Sequence, residues 1–262
     1  MDGRTTNKRK REAFVYMKKA FLKPVIISIV FGTIFGAIAL VSAVDHLIRS
    51  AAAIDDVLDY SDVFLSGFLH FDFDRFDYLW RQDSSILLSP TIFYFVGSMI
   101  GAQSFLKKNK SYYSFIYHRY QSSARLGTAL VSKVWIPIIL YTAFYFCSFI
   151  LGMRFISTDT IEPIFTITII ELSAFFTLRI LVLLFLVHFL FIIFSKKEAA
   201  IALILNAVLV MLILLITIHA QFVNLAVFDD FNNLLRSIFL WIVVNASMWF
   251  IIKFGTKYKL SE

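Results

Sequence analysis

Residues 180–194 read ILVLLFLVHFLFIIF, and His188 is the one polar side chain among the fifteen. A helix that is apolar on every side belongs in a large protein core or in lipid. Followed back to residue 165, the run exceeds the ~20 residues that a helix needs to cross a ~30 Å hydrocarbon layer. Five further stretches of comparable character lie around it: 24–44, 86–106, 130–152, 199–220 and 234–254. The stretch from 86 is the weakest, because it carries Ser89, Pro90, Ser98 and Gln103. Together with 165–194 they predict an all-α integral membrane protein of six transmembrane helices, one domain over residues 1–262. Stretches of this length are not the ~10-residue alternations of a membrane β-barrel. The first lies too far inside the chain, and lacks a small-residue cleavage site, to be a signal peptide.

Composition leads to the same place. Hydrophobic residues make up 59% of the 262 and charged residues 16%, with thirty phenylalanines beside four prolines. Ordinary soluble domains sit near ~45–50% and ~25%. One water-facing globule cannot hide that much apolar surface, which excludes a soluble enzyme, a disulfide-rich secreted module and a disordered scaffold. Cys147 is the single cysteine, so neither an intrachain disulfide nor a cysteine zinc site is available.

The net charge of +7 is sorted along the chain. Nineteen of the 25 Lys and Arg lie before the first stretch, between the second and third or at the edge of the third (Lys133), between the fourth and fifth, or from Lys253 to the end of the chain. Nine of the eighteen acids fall in residues 45–85. Lysine and arginine mark the cytoplasmic side, so both termini are expected inside. The basic excess then serves topology and anionic headgroups, and nucleic acid is not an expected partner. Residues 1–23 have Phe14, Met17 and Phe21 at helical spacing, with Lys19 and Lys23 opposite, and predict a cytoplasmic interface helix.

Several segments are candidate sites. Gly32 and Gly36 in the first stretch, and Gly97 and Gly101 in the second, have the small-xxx-small spacing that admits a close helix neighbour, within one protomer or at a subunit interface. The outer segment 45–85 interleaves aspartates with aromatics; Asp72, Phe73, Asp74 and Trp80 could form either an interfacial cap or a vestibule attractive to cationic amphipathic solutes. Within it, 54–69 reads as a short amphipathic helix. The basic, aromatic loop 107–129 places Tyr113, Ile116, Tyr117 and Tyr120 on one helical face, with Arg119 and Arg125 nearby, as either a partner-binding plug or a long interfacial turn. Residues 221–233 are half apolar and could dip back into the outer leaflet.

Charges inside a span are costly and by default functional. Glu171 and Arg179 are the two in the fourth stretch. Counting ~20 residues back from Phe194 makes Glu171 interfacial and leaves Arg179 about one turn deep, able to snorkel outward. Eight residues separate them by about 80° and about 12 Å, so they do not pair. Structural roles are expected, with a substrate path lined by Arg179 and Glu171 as the alternative. His188, Asn206 and Asn245 are expected to bond across the bundle. No G-x-x-x-x-G-K-[ST], H-E-x-x-H or G-x-S-x-G occurs, so no nucleotide site, metal centre or catalytic residue is expected and the chain is not read as an enzyme.

Both ends inside, six spans, a basic N-terminal interface helix, a long outer loop after the first span and a basic aromatic loop after the second together resemble the type-2 ABC exporter permeases. More narrowly, the pattern is similar to the small Gram-positive permeases that export bacteriocins, lantibiotics or other amphipathic peptides. The local element is YSFIYHRYQSSARLG, residues 113–127, followed by KVW, residues 133–135. The resemblance implies a coupling helix over about Tyr112–Arg125 docked on a separate ATPase, which would bring the ATP and Mg this chain does not bind. It implies two ATPase copies, a second permease copy or paralogue with Gly32 and Gly36 at the dimer contact, and a bacterial plasma membrane. A lipid or drug exporter of the same architecture is one alternative. A membrane-embedded peptide sensor or immunity protein without transport is another.

Overall fold

The computed structural model describes residues 3–54, 58–67, 88–106, 133–156, 161–196, 199–219 and 231–255. Among these the chain forms helices α1 (Gly3–Ile54), α2 (Tyr60–Gly67), α3 (Leu88–Leu106), α4 (Trp135–Met153), α5 (Ile169–Lys196), α6 (Ala199–His219) and α7 (Phe231–Gly255). Two short strands, β1 (Leu58–Asp59) and β2 (Ile161–Glu162), pair in parallel, Leu58 with Ile161 and Asp59 with Glu162. Among the described residues, four stretches are long and apolar enough to cross a membrane: Leu22–Asp45, Trp135–Met153, Ile169–Phe194 and Leu234–Lys253. Helices α3 and α6 occupy the other two expected stretches.

The helix starts follow local chemistry. Pro90 and Pro137 each stand third in their helix, within the first turn, where a missing N–H costs no intrahelical bond. Helix α5 opens with a capping box: Glu171 Oε2 accepts from the Thr168 amide and hydroxyl, both at 2.8 Å, and the Glu171 amide donates to Thr168 Oγ1 at 3.2 Å.

At its N-terminus the chain departs from expectation. Residues 3–54 make one helix, where an interface helix followed by a separate span is expected. Good helix formers fill positions 8–22, and the lone Pro24 removes a single donor without ending the helix. Beyond residue 44, the alanine-rich DHLIRSAAAI continues it to Ile54.

Helix α5 is the hub. It packs against α3, α4, α6 and α7, whereas α1 lies chiefly along α4. The most apolar stretch of α5 is 61% buried, against 28% for α1 and 17% for α7. The outward faces of α1, α6 and α7 carry Ile34, Ile38, Ile204, Val208, Phe239 and Phe250, all exposed. That is the inside-out character of a helix bundle meant for lipid.

Glycines set two of the helix contacts. A Cβ on Gly32 would lie 2.6 Å from the Tyr141 carbonyl oxygen, and one on Gly36 would clash with the carbonyl oxygen of Tyr145. A Cβ on Gly97 would meet Leu183 at 2.7 Å and Tyr141 at 2.8 Å, and one on Gly101 would meet Val187 at 2.8 Å. The contacts also give direction. Gly32 and Gly36 meet residues of rising number in α4, so α1 and α4 run the same way. Leu183 and Val187 rise with Gly97 and Gly101, so α3 and α5 run together, while Ser89 meets Tyr145 and Gly101 meets Ile138, which sets α4 opposite to α3. Gly32 and Gly36 thus make a close approach to α4 within the chain.

On an open helix face, alanine would stabilise relative to glycine by about 1 kcal/mol. Here Gly32→Ala and Gly36→Ala are expected to destabilise by roughly 1–3 kcal/mol, because a backbone must move. Thermal unfolding in mild detergent reads the sign, with Ile34→Ala as the exposed comparison.

Candidate functional site

Where α3, α4 and α5 meet, the bundle encloses polar chemistry. Arg179 on α5 is 0% exposed and is the one buried cation among the described residues. Lys23, Lys133, Arg154, Arg236 and Lys253 are all exposed. The Arg179 Nη1 donates to the Tyr94 hydroxyl of α3, and its Cζ lies 5.6 Å from the centroid of the same ring. A phenol suits this place, offering an acceptor oxygen and a negative ring face without bringing a second charge into low dielectric.

An aromatic wall surrounds the pair. Phe93 stacks on Tyr141 at 5.5 Å and meets Tyr145 edge-on at 4.6 Å. The Tyr141 hydroxyl donates to the Phe93 carbonyl at 3.2 Å, and the Tyr145 and Ser89 hydroxyls share a hydrogen bond of 3.2 Å. Tyr94, Tyr141 and Tyr145 are each at most 1% exposed. Nearer the far end of α5, Asn245 of α7 donates to the carbonyls of Leu181 and Trp241 at 2.9 and 2.8 Å. Its amide oxygen must then accept, so His188 Nδ1 is the donor across 3.1 Å. Asn206 of α6 donates to Ser98 of α3 at 2.8 Å. These are the cross-bundle bonds expected of His188, Asn206 and Asn245.

The end of the bundle next to Ser89 carries a cap. Asp59 and Asp62 bond reciprocally, each carboxylate accepting from the other's amide, at 3.1 and 2.8 Å. Partial burial raises the Asp62 carboxyl above its ordinary range, the bond from the Asp59 amide opposes this, and the Asp59 charge adds to the rise. Residues 60–67 of the expected amphipathic helix are helical.

The sequence-based site residues fall into three groups. Arg179 is not a snorkelling cation: Leu183 and Val187, one and two turns on, face the glycines of α3, and this places Arg179 on the protein-facing side of α5. Glu171 places its carboxylate on the helix cap at Thr168. Tyr113, Ile116, Tyr117, Arg119, Tyr120 and Arg125, like Asp72, Phe73, Asp74 and Trp80, lie outside the described residues, as do 221–230. Among the described residues no group of three or more His, Cys, Asp or Glu could hold a metal. The tyrosines of the centre went unread in the sequence. Their signal was Tyr141 and Tyr145, four apart in a mostly apolar span; that of the cap was Thr168-x-x-Glu171.

Glu171→Ala is expected to lower the unfolding free energy by roughly 1 kcal/mol, and Glu171→Gln, which keeps an acceptor, by much less. Chemical denaturation in detergent measures both; equal losses would point to a role for the charge itself. Comparison with protein-family models, with curated proteins and with solved structures finds no match to this chain, so its function is argued from its own residues.

Proposed function

We propose that this chain is the permease subunit of an ATP-driven exporter, with six spans and both termini in the cytoplasm, moving amphipathic peptides out of a bacterial cell. The observation that carries the reading is a bundle with apolar outward faces and one cation turned inward, where α3, α4 and α5 meet. A membrane protein meant only as an anchor has no need of a buried guanidinium, which is costly in lipid and is characteristic of helices that line or flank a path. The alternating directions of α1, α3, α4 and α5 fit the same topology as the lysine and arginine distribution.

The driving chain would be separate, since no phosphate-cradling loop occurs in the sequence. In this reading, segment 107–129 lies on the cytoplasmic face, and its aromatic row with Arg119 and Arg125 docks on the ATPase. Closure of two ATPases on ATP and Mg would move a pair of permeases between states that bind the solute differently. The aspartates of 45–85 would draw the cationic face of a released or returning peptide toward the outer mouth.

Purification of the tagged protein from its native membrane in mild detergent tests the proposal. A P-loop ATPase is expected to follow in stoichiometric amount and to be lost from the double variant Tyr117→Ala, Arg119→Ala. If no ATPase accompanies the chain in several detergents or in nanodiscs, the exporter reading fails and a membrane-embedded peptide sensor takes its place.

A further inference from the structure

Helices α1 and α4 run side by side in one direction, and their glycine contacts show which residues share a depth. Gly32 meets Tyr141 and Gly36 meets Tyr145. Carried back along both helices at equal rise, this register sets Lys133 level with Pro24, one residue from Lys23. Both lysines are exposed, so two ammonium groups stand at one depth on neighbouring helices. Each heads a row at helical spacing. On α1 the row is Lys23, Ile26, Val30 and Thr33, all exposed. On α4 it is Lys133, Ile136, Leu140 and Cys147, exposed except for the half-buried Leu140. The Ser148 hydroxyl, beside Cys147, donates to the Thr33 carbonyl at 2.9 Å and ties the two rows along one seam.

The seam has two kinds of chemistry, separated by depth. Its rows fall within Leu22–Asp45 and Trp135–Met153, both long and apolar enough to cross a membrane. Thr33 adds no free hydroxyl there, because its Oγ1 donates to the Ile29 carbonyl at 2.9 Å. Charge is kept to the end with the lysines. The acids whose side chains are described, Asp45, Asp59, Asp62, Glu162 and Glu171, all lie toward the other end of the bundle. Asp45 is about 33 Å from Lys23 along α1. An occupant suited to the seam therefore has negative charge at one end and hydrocarbon along the rest. A soluble anion has no use for the apolar rows. A second copy of the chain, related by a two-fold axis across the membrane, would set these lysines against their own kind at the same depth.

We propose that the seam between α1 and α4 is a binding site for one anionic glycerophospholipid. Its phosphodiester lies between Lys23 and Lys133, whose four-carbon stems let both ammonium groups swing to it, and an acyl chain follows the two rows. A zwitterionic lipid has its own ammonium beside the phosphate and meets the lysines at a disadvantage. The site goes beyond the permease reading and does not rest on it: it stands whether or not an ATPase accompanies the chain.

Native mass spectrometry of the full chain in mild detergent tests the site, titrating phosphatidylglycerol and phosphatidylcholine with the same acyl chains. Each lysine near an anionic headgroup is worth about fivefold in binding, so the first phosphatidylglycerol should bind more than tenfold tighter than the first phosphatidylcholine. Lys23→Gln and Lys133→Gln should each remove about fivefold of that preference, and together abolish it. Phosphatidylcholine binding should not change in either variant, which shows that the fold is kept. Lys253→Gln, at the end of α7, should leave the preference intact, and excess glycerol 3-phosphate should not displace the lipid. Equal affinity for the two lipids in the unaltered chain would overturn the site. So would a loss from Lys253→Gln as large as that from Lys133→Gln, which would mean a diffuse attraction. Displacement by glycerol 3-phosphate would show a phosphate site without an acyl lane and would overturn the lipid as occupant.

Discussion

A guanidinium without water has to be held by protein, and the arrangement of this bundle follows from where Arg179 finds its partner. The Tyr94 hydroxyl lies on α3, so α3 must lie against α5, and the contacts of Gly97 with Leu183 and Gly101 with Val187 run the two in the same direction. Gly97 and Gly101 let the two backbones come close enough for that bond, since any side chain there would strike Leu183 or Val187. Tyr141 and Tyr145 then close the third side from α4 and use their own hydroxyls on Phe93 and Ser89. The rule at work is the cost of an unmade hydrogen bond in a medium that offers no substitute.

The same rule orders the rest of the molecule. Three buried polar side chains find partners on other helices: Asn206 on Ser98, Asn245 on the α5 backbone, His188 on Asn245. Apolar side chains on α1, α6 and α7 turn outward. Helix α1 is drawn against α4 by Gly32 and Gly36, and the Ser148 hydroxyl adds a bond to the Thr33 carbonyl at 2.9 Å. Among the described residues, the irregular backbone at the capped end is tied by the β1–β2 pairing and the Ser61–Thr166 contact. A membrane bundle needs such local repair wherever the chain leaves a helix near hydrocarbon.

Much of this was legible before any coordinates, and the reasons for the rest are specific. Apart from the N-terminal helix, which runs on both sides of its expected span, the apolar runs located the long helices to within about five residues, because hydrocarbon thickness sets their length. Depth counted from one end of a run was a poor guide to Arg179, because it says how far a residue sits from water and not which side of the helix it occupies. That side depends on what α3 and α4 present, which is long-range information. The glycine pairs announced close approach but not the identity of the neighbour, which for Gly32 and Gly36 is α4 and for Gly97 and Gly101 is α5. Glu171 was readable locally: Thr168-x-x-Glu171 is a capping box and needs no tertiary contact to be seen. The join of 3–23 to the first span was not, since a lone proline after a lysine-rich helix permits either outcome.

Function in this account rests on Arg179 being held by the protein interior and not by the lipid surface. The most direct measurement is a double-mutant cycle on unfolding in detergent, with Arg179→Met and Tyr94→Phe singly and together. A pair joined inside the bundle should show a coupling of about 1–2 kcal/mol, the upper part of what intramembrane hydrogen bonds give. Coupling below about 0.3 kcal/mol, with the two single losses simply adding, would mean that the arginine finds its stability elsewhere, and the inward-facing centre would be wrong.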